Sequence, residues 1–447
     1  MDYTKNLIRF IVLITALLFL VSVIDCVYKI KWKPINNINI LSDIVKKRPT
    51  KKTIPLITDS IKVIDDSTSK KIYSNFSSPN RLTEFDADTN AVVIKNFIDK
   101  LIELKKGKRK KVRIAYLGDS MIEEDFITQT LRKLMQQEFG GYGIGYLPLS
   151  SELSGERITA NISSKNWIES NFKTNPDHLQ LYISGRCFNA NGSAFTEIKD
   201  KTALPSNSLN KYLLFGETNS PKTVTINGIN YSLNAKNNFN SLLLDSSIGN
   251  TFRLETNQAN NLFGVSLESS QGIIVDNFSF RGISGNEFSK MDSSFLLNIS
   301  KNHPYDLIVM EYGVNLFVKP TDDNFNWFYK PFKRAISRIK SSFPDANILI
   351  VSSADRAYKY DNVYQTAVGI PNLIALQEKA AYETGTAFYN TFASMGGDGS
   401  ITKWVEATPP LAYKDYLHPN SKGSEIIGKS IYDAIMFEYK KAIQKNK

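Results

Sequence analysis

The sequence predicts an α/β fold, a parallel sheet with helices on both faces, interrupted by a β-rich insert. Three observations carry this. The short apolar runs "VRIAYL" (112–117), "IIVDNFSF" (273–280), "DLIVME" (306–311), "NILIVS" (347–352) and "TAFYN" (386–390) read as buried parallel strands. Helical spacing follows the first of them and separates the third from the fourth, which is the alternation of a parallel α/β sheet. Between 149 and 272 the rhythm changes to Asn-, Ser- and Thr-rich sequence with short runs such as "KTVTING" and "NLFGVSLES". Turn signals recur there, so the stretch reads as a β-sandwich-like insert.

In chain order the first element is "FIVLITALLFLVSVIDCVY", residues 10–28, whose only formal charge is Asp25. At about 1.5 Å per residue it covers roughly 28 Å, close to a bilayer core. An uncleaved anchor is expected, with a cleaved signal peptide as the second reading. Lys29, Lys31 and Lys33 outnumber Lys5 and Arg9, so the charge rule slightly favours the orientation opposite to export. The chemistry read below favours the exported orientation nonetheless, and the resemblance that follows it implies a Gram-negative periplasm. Residues 29–88 are polar and basic and read as a stem.

Charge follows the same division. The net charge is +11, and residues 1–111, with 22 Lys/Arg and 11 Asp/Glu, hold all of it. The remaining chain is neutral. A nucleic-acid enzyme carries its basic patch on the folded domain, so that class is excluded. A basic segment beside an apolar run suits anionic lipid headgroups or serves as a solvated stem. Two cysteines, Cys26 and Cys187, make no disulfide framework. His178, His303 and His418 are far apart, and no HExxH or paired CxxC occurs, so neither metal nor cofactor is expected.

The α/β domain is expected in two pieces, 89–148 and 273–447. Val93, Ile94, Phe97, Ile98, Leu101, Ile102 and Leu104 mark a helix. "VRIAYL" then leads into "GDS", and Ile122, Phe126, Leu131, Leu134 and Met135 mark the next helix. Ser120 therefore stands where a strand ends and a helix begins, the edge where such sheets hold their sites. Glu123, Glu124 and Asp125 are read as ordinary first-turn acids. Further helices are expected over 327–341 and 423–439. "GSEIIGKS" (423–430) fits the nucleotide-binding G-x-x-x-x-G-K-[ST] pattern, but no strand precedes it and Ile426, Ile427, Ile431 and Ile435 share a helix face. It is read as accidental.

A hydroxyl nucleophile needs a base, and the base needs a group that fixes its tautomer. "DYLHPN" offers Asp415 and His418 in one tight turn before the last helix. Gly285, in "RGISGNE" after the second α/β strand, and Asn315, in "EYGVN" after the third, fall at the same sheet edge. The Gly285 N–H and the Asn315 side-chain amide can join the Ser120 N–H around an oxyanion. In the long loop 393–414, Trp404 is read as a possible rim against a sugar, beside the alternative of simple packing.

Ser120, Gly285, Asn315 and His418 carry a resemblance to the SGNH hydrolases, also called the GDSL esterases. The match covers about 110–148 and 275–443. It implies a flavodoxin-like three-layer hydrolase domain and a Ser–His–Asp mechanism without cofactor. Two departures stand out: "GVNLF" lacks the acidic residue many members have after the Asn, and Met121 follows the serine. The β-rich insert resembles that of peptidoglycan O-acetylesterases, which implies an O-acetylated envelope glycan as substrate. A further resemblance, to partners of membrane-bound O-acyltransferases, implies acetyl transfer to polysaccharide instead. A glycan-binding protein without catalysis is the third reading, and the intact Ser120, Asp415 and His418 count against it. Tyr212 and Tyr231 are expected as glycan-facing aromatics of the insert.

Overall fold

The computed structural model describes residues 12–14, 80–83, 85, 91–152, 155, 157–175, 177 and 180–445. Its central sheet has six strands: β1 (Leu82–Thr83), β2 (Lys111–Gly118), β3 (Gly272–Ser279), β4 (Leu307–Glu311), β5 (Asn347–Val351) and β6 (Ala387–Tyr389). The order is β1-β6-β5-β4-β2-β3, with β1 antiparallel and the rest parallel. All five apolar runs read from the sequence are these parallel strands. Strand β4 is buried along its whole length and β3 along nearly all of it, because both sheet faces are covered.

Helices α1 (Lys95–Lys105) and α2 (Phe126–Phe139) cover one face, packing Phe97, Leu101, Ile127 and Leu131 against Val112 and Tyr116. Helices α3 (Ser293–Asn302), α4 (Asn326–Ser342) and α5 (Ile370–Thr384) cover the other with Leu296, Phe332, Ile336 and Leu373. The short α6 (Thr391–Met395) and α7 (Ser400–Glu406) and the long α8 (Ser421–Lys445) return to the first face. Helix α8 runs unbroken through the nucleotide-binding look-alike. Its Gly423 permits close approach: a Cβ there would stand 2.1 Å from the Leu411 carbonyl oxygen.

The insert forms one nine-stranded antiparallel sheet curled around its own core of Phe188, Ile198, Leu213, Phe252, Leu254 and Leu262. This corrects the expectation of a sandwich. Strand Arg186–Asp200 pairs with Thr251–Thr256 along one half and meets Leu262 at Phe188, which carries the hydrogen-bond ladder around the corner. Its neighbour Ala160–Asn171 shifts register between Lys165 and Trp167, and Asn166 has φ 61°. Such a bulge bends a strand and increases its twist.

Insert and α/β part share a core. Phe172, Tyr182, Phe239 and Phe263 of the insert join Phe278 and Phe295 of the α/β part. Tyr182 stacks on Phe239 and Phe263 at 5.6 and 5.5 Å. Among the described residues no helix is long and apolar enough to cross a membrane. The anchor expected over 10–28 lies outside them except for 12–14, and so does most of the stem 29–88.

Candidate active site

Gly118 ends β2, and the chain turns at once through Asp119 and Ser120 toward α2. Gly285 follows β3 and Asn315 follows β4, so the three stand at the carboxyl ends of three adjacent strands. The turn before α8 brings the remaining groups. Ser120 Oγ lies 3.0 Å from His418 Nε2, and His418 Nδ1 lies 2.7 Å from Asp415 Oδ2. The other Asp415 oxygen accepts the backbone N–H groups of Leu417 and His418 at 3.0 and 3.1 Å. Burial pulls the Asp415 pKa up, but the hydrogen bonds from His418 and these amides prevail and hold it below the usual value.

Gly285 has φ 85°, a conformation that glycine adopts without strain, and a Cβ there would meet the Tyr312 ring at 2.6 Å. Asn315 is engaged. Its amide nitrogen donates to Asp119 Oδ2 and to the Ile283 carbonyl, each at 2.9 Å. An NH₂ group has two hydrogens, so Asn315 reaches an oxyanion only by releasing one of these acceptors.

Buried carboxyls surround the nucleophile. Burial pushes Asp119 up to about 7, against the pull of the Met121 N–H, His418 and Asn315. Below it Glu311 accepts the Tyr116 hydroxyl; burial pushes its pKa up to about 8, against the pull of Tyr116, with Asp119 adding repulsion.

Two readings need correction. Trp404 is no substrate rim. The stretch around it folds into α7, and the ring is buried against the start of α8, 3.0 Å from where a Gly423 Cβ would be. Asp125 is no ordinary first-turn acid either. It is fully buried, accepts both terminal nitrogens of Arg132 at 2.9 and 3.0 Å, and takes Thr159 Oγ1 at 2.7 Å and Asn277 Nδ2 at 3.1 Å. Arg157 stands 3.1 Å away. Burial alone would raise the Asp125 pKa, but the two arginines hold it well below the usual carboxylate range. Thr159 and Arg157 lead into the insert, so this carboxylate joins the insert to the helix after the nucleophile. The seven-residue spacing of Asp125 and Arg132 on one helix face was the signal available in the sequence. His303 is a buried core histidine; His178 lies outside the described residues.

Among the described residues no group of three or more His, Cys, Asp and Glu is placed to hold a metal ion. No family model and no curated protein matches the sequence. A solved peptidoglycan O-acetylesterase matches the structure with a TM-score of 0.67 at 20% identity, over 77% of this chain and 96% of its own. That share is larger than the α/β segments alone contain, so the likeness extends into the insert. The two chains share one fold. A weaker likeness is to an acetyl xylan esterase (TM-score 0.27, 14% identity, 36% of this chain and 81% of that one). A family two carbohydrate esterase from Clostridium thermocellum, solved with cellohexaose, matches at TM-score 0.27 and 11% identity, over 58% and 96% of the two chains.

Proposed function

We propose that this chain is a serine esterase that removes O-acetyl groups from a cell-envelope glycan. The observation that carries the reading is the unbroken line from Ser120 Oγ through the His418 ring to Asp415, at 3.0 and 2.7 Å. His418 Nε2 takes the hydroxyl proton as Oγ attacks the ester carbonyl. Asp415 holds the proton on Nδ1 and stabilises the imidazolium that forms. The tetrahedral oxyanion faces the N–H groups of Ser120 and Gly285, and Asn315 joins them by giving up the Ile283 carbonyl. Collapse expels the sugar hydroxyl, which takes its proton from His418. Water then repeats the sequence and frees acetate. The likeness to a peptidoglycan O-acetylesterase supports an acetylated glycan as substrate. The apolar run 10–28 supports placement at a membrane, and the glycan substrate, against the flanking charges, argues for the domain on its outer side.

The test is hydrolysis of 4-nitrophenyl acetate and of O-acetylated peptidoglycan by the wild type and by Ser120→Ala. The substitution is expected to lower turnover of both by at least about 10³-fold. Residual activity above roughly one per cent would assign the reaction to another nucleophile. Cleavage of the small ester with no acetate released from any acetylated glycan would remove the substrate class.

A further inference from the structure

We propose that the hairpin Ala357–Tyr360/Val363–Thr366 and the catalytic turn form a sugar-binding platform, on which a pyranose ring of the substrate glycan lies against Tyr364. The inference rests on the glycan-esterase reading above. The hairpin leaves the sheet after β5, at the edge that holds Ser120. Its first residue is tied to the catalytic turn, since the Ala357 N–H donates to the Tyr416 carbonyl at 2.9 Å. Tyr416 sits between Asp415 and His418, so chain length alone keeps it within about 7 Å of the base. With φ 56° it turns its side chain out of the turn and onto the hairpin. There the Tyr364 and Tyr416 rings lie face to face, 3.5 Å between centroids and 9° between planes.

This pair forms a slab with one face left over. Tyr416 covers one side of Tyr364, yet Tyr364 is 36% exposed, so its accessible surface is the opposite face and the rim. Tyr413, 45% exposed, belongs to the same turn as Tyr416, whose N–H donates to the Tyr413 carbonyl, and its own N–H donates to the His418 carbonyl. A π-face is electronegative. The C–H face of a pyranose is its complement, while the hydroxyls at the sugar's rim stay in water.

The slab is also anchored. Arg356, one residue before the hairpin, donates to the Val314 carbonyl at 2.7 Å, with its guanidinium 4.5 Å from the Tyr358 ring and 5.5 Å from that of Phe317. One residue thereby fixes the root of the hairpin to the Asn315 loop. A surface held this way meets its ligand with little ordering cost.

The contrast with the insert decides the choice of site. Among the described residues the exposed large aromatics are Trp327, Tyr364, Tyr413 and Phe437, all in the α/β part. The exposed large hydrophobic side chains of the insert are aliphatic. Tyr212 instead packs against the α/β core near His303, and the Tyr231 hydroxyl donates to the Leu244 carbonyl with its ring against the insert core. In the sheet, β5 lies on one side of β2 and β3 on the other. A glycan chain crossing Ser120 thus runs from the insert side toward the platform.

The test titrates Ser120→Ala protein with chitohexaose and with cellohexaose, alone and with Tyr364→Ala, Tyr364→Leu or Tyr364→Phe added, and records melting temperatures. Ala and Leu are expected to weaken binding about tenfold, and Phe, which keeps the ring, less than twofold. With Ser120 restored, Tyr364→Ala is expected to lower the ratio of kcat/KM on acetylated peptidoglycan to that on 4-nitrophenyl acetate about tenfold. Equal affinity of the Ala variant and its parent, Leu binding as well as Phe, or no binding of either hexaose by the parent would each overturn the platform. Loss of small-ester hydrolysis belongs to the esterase reading, and the wild type measures that separately.

Discussion

The strands of the α/β part are buried on both faces, whereas outer strands of the insert alternate, as in Thr251–Thr256, where every second residue enters the core. A strand covered on both sides has only its ends free, so every candidate reacting group stands on a loop at one edge. The insert has a free face, but its exposed large hydrophobic side chains are aliphatic and scattered. The two parts also treat buried charge differently. Beside Ser120, Asp119 and Glu311 are pushed toward neutrality, with no arginine or lysine paired to them among the described residues. At the joint with the insert, Asp125 is held ionised by two arginines. The candidate site thus sits in one part, and the second part is locked onto it by a paired charge.

The largest expected effect concerns the first half of this contrast. Asp415→Asn should lower kcat on 4-nitrophenyl acetate by about 10⁴-fold, because the imidazole tautomer is no longer fixed. Its melting temperature should stay close to wild type, since Asp415 is substantially exposed. Turnover within tenfold of wild type would remove Asp415 from the site.

Next comes the joint. Arg132→Met leaves Asp125 buried with one guanidinium fewer and should cost about 3–5 kcal/mol in urea unfolding. The loss should fall on the contact between the parts, so one transition should broaden or split into two. An unchanged midpoint would mean that Arg157 alone suffices.

The smallest effect is a pH dependence. Asp119 and Glu311 stay protonated in the folded chain up to about 7 and about 8, whereas the unfolded chain ionises them near 3.8 and 4.5. Between those limits the folded state binds more protons, so their contribution to stability is present at acid pH and lost as pH rises through 7 to 8. Glu311→Gln removes one titrating group. It should flatten the fall in stability between pH 5 and pH 8 by roughly 2–4 kcal/mol. A slope equal to wild type would show Glu311 ionised throughout.

Much of this was legible because the doubly buried strands leave continuous apolar runs, and three of the five runs lead directly to a residue of the candidate site. "VRIAYL" led to Ser120, and "DYLHPN" placed Asp415 and His418 in one turn. The single sheet of the insert was not legible, since alternation is the same in a sandwich and in a curled sheet. What distinguishes them is one long strand bent at a bulge beside Asn166. Nor was the hairpin after β5: "AYKYDNVYQT" has only two short strands, and its meaning lies in a contact with Tyr416 from fifty-two residues later in the chain. Trp404 was misplaced because loop and short helix share a composition there, and only the packing of α7 on Gly423 shows the ring to be internal.

The pairing of β2 with β3 has a consequence for how the chain folds. These strands lie side by side in register over their whole length, yet the insert separates them in sequence. Bringing two strands together across a loop on the order of 150 residues carries a closure entropy that has to be met before the contact contributes anything. An insert that collapses first, on hairpin contacts of its own, replaces that long loop by a short one. The nucleophile's strand would then find its neighbour only after a foreign sheet had formed, which makes the insert a template for the site as well as its flank.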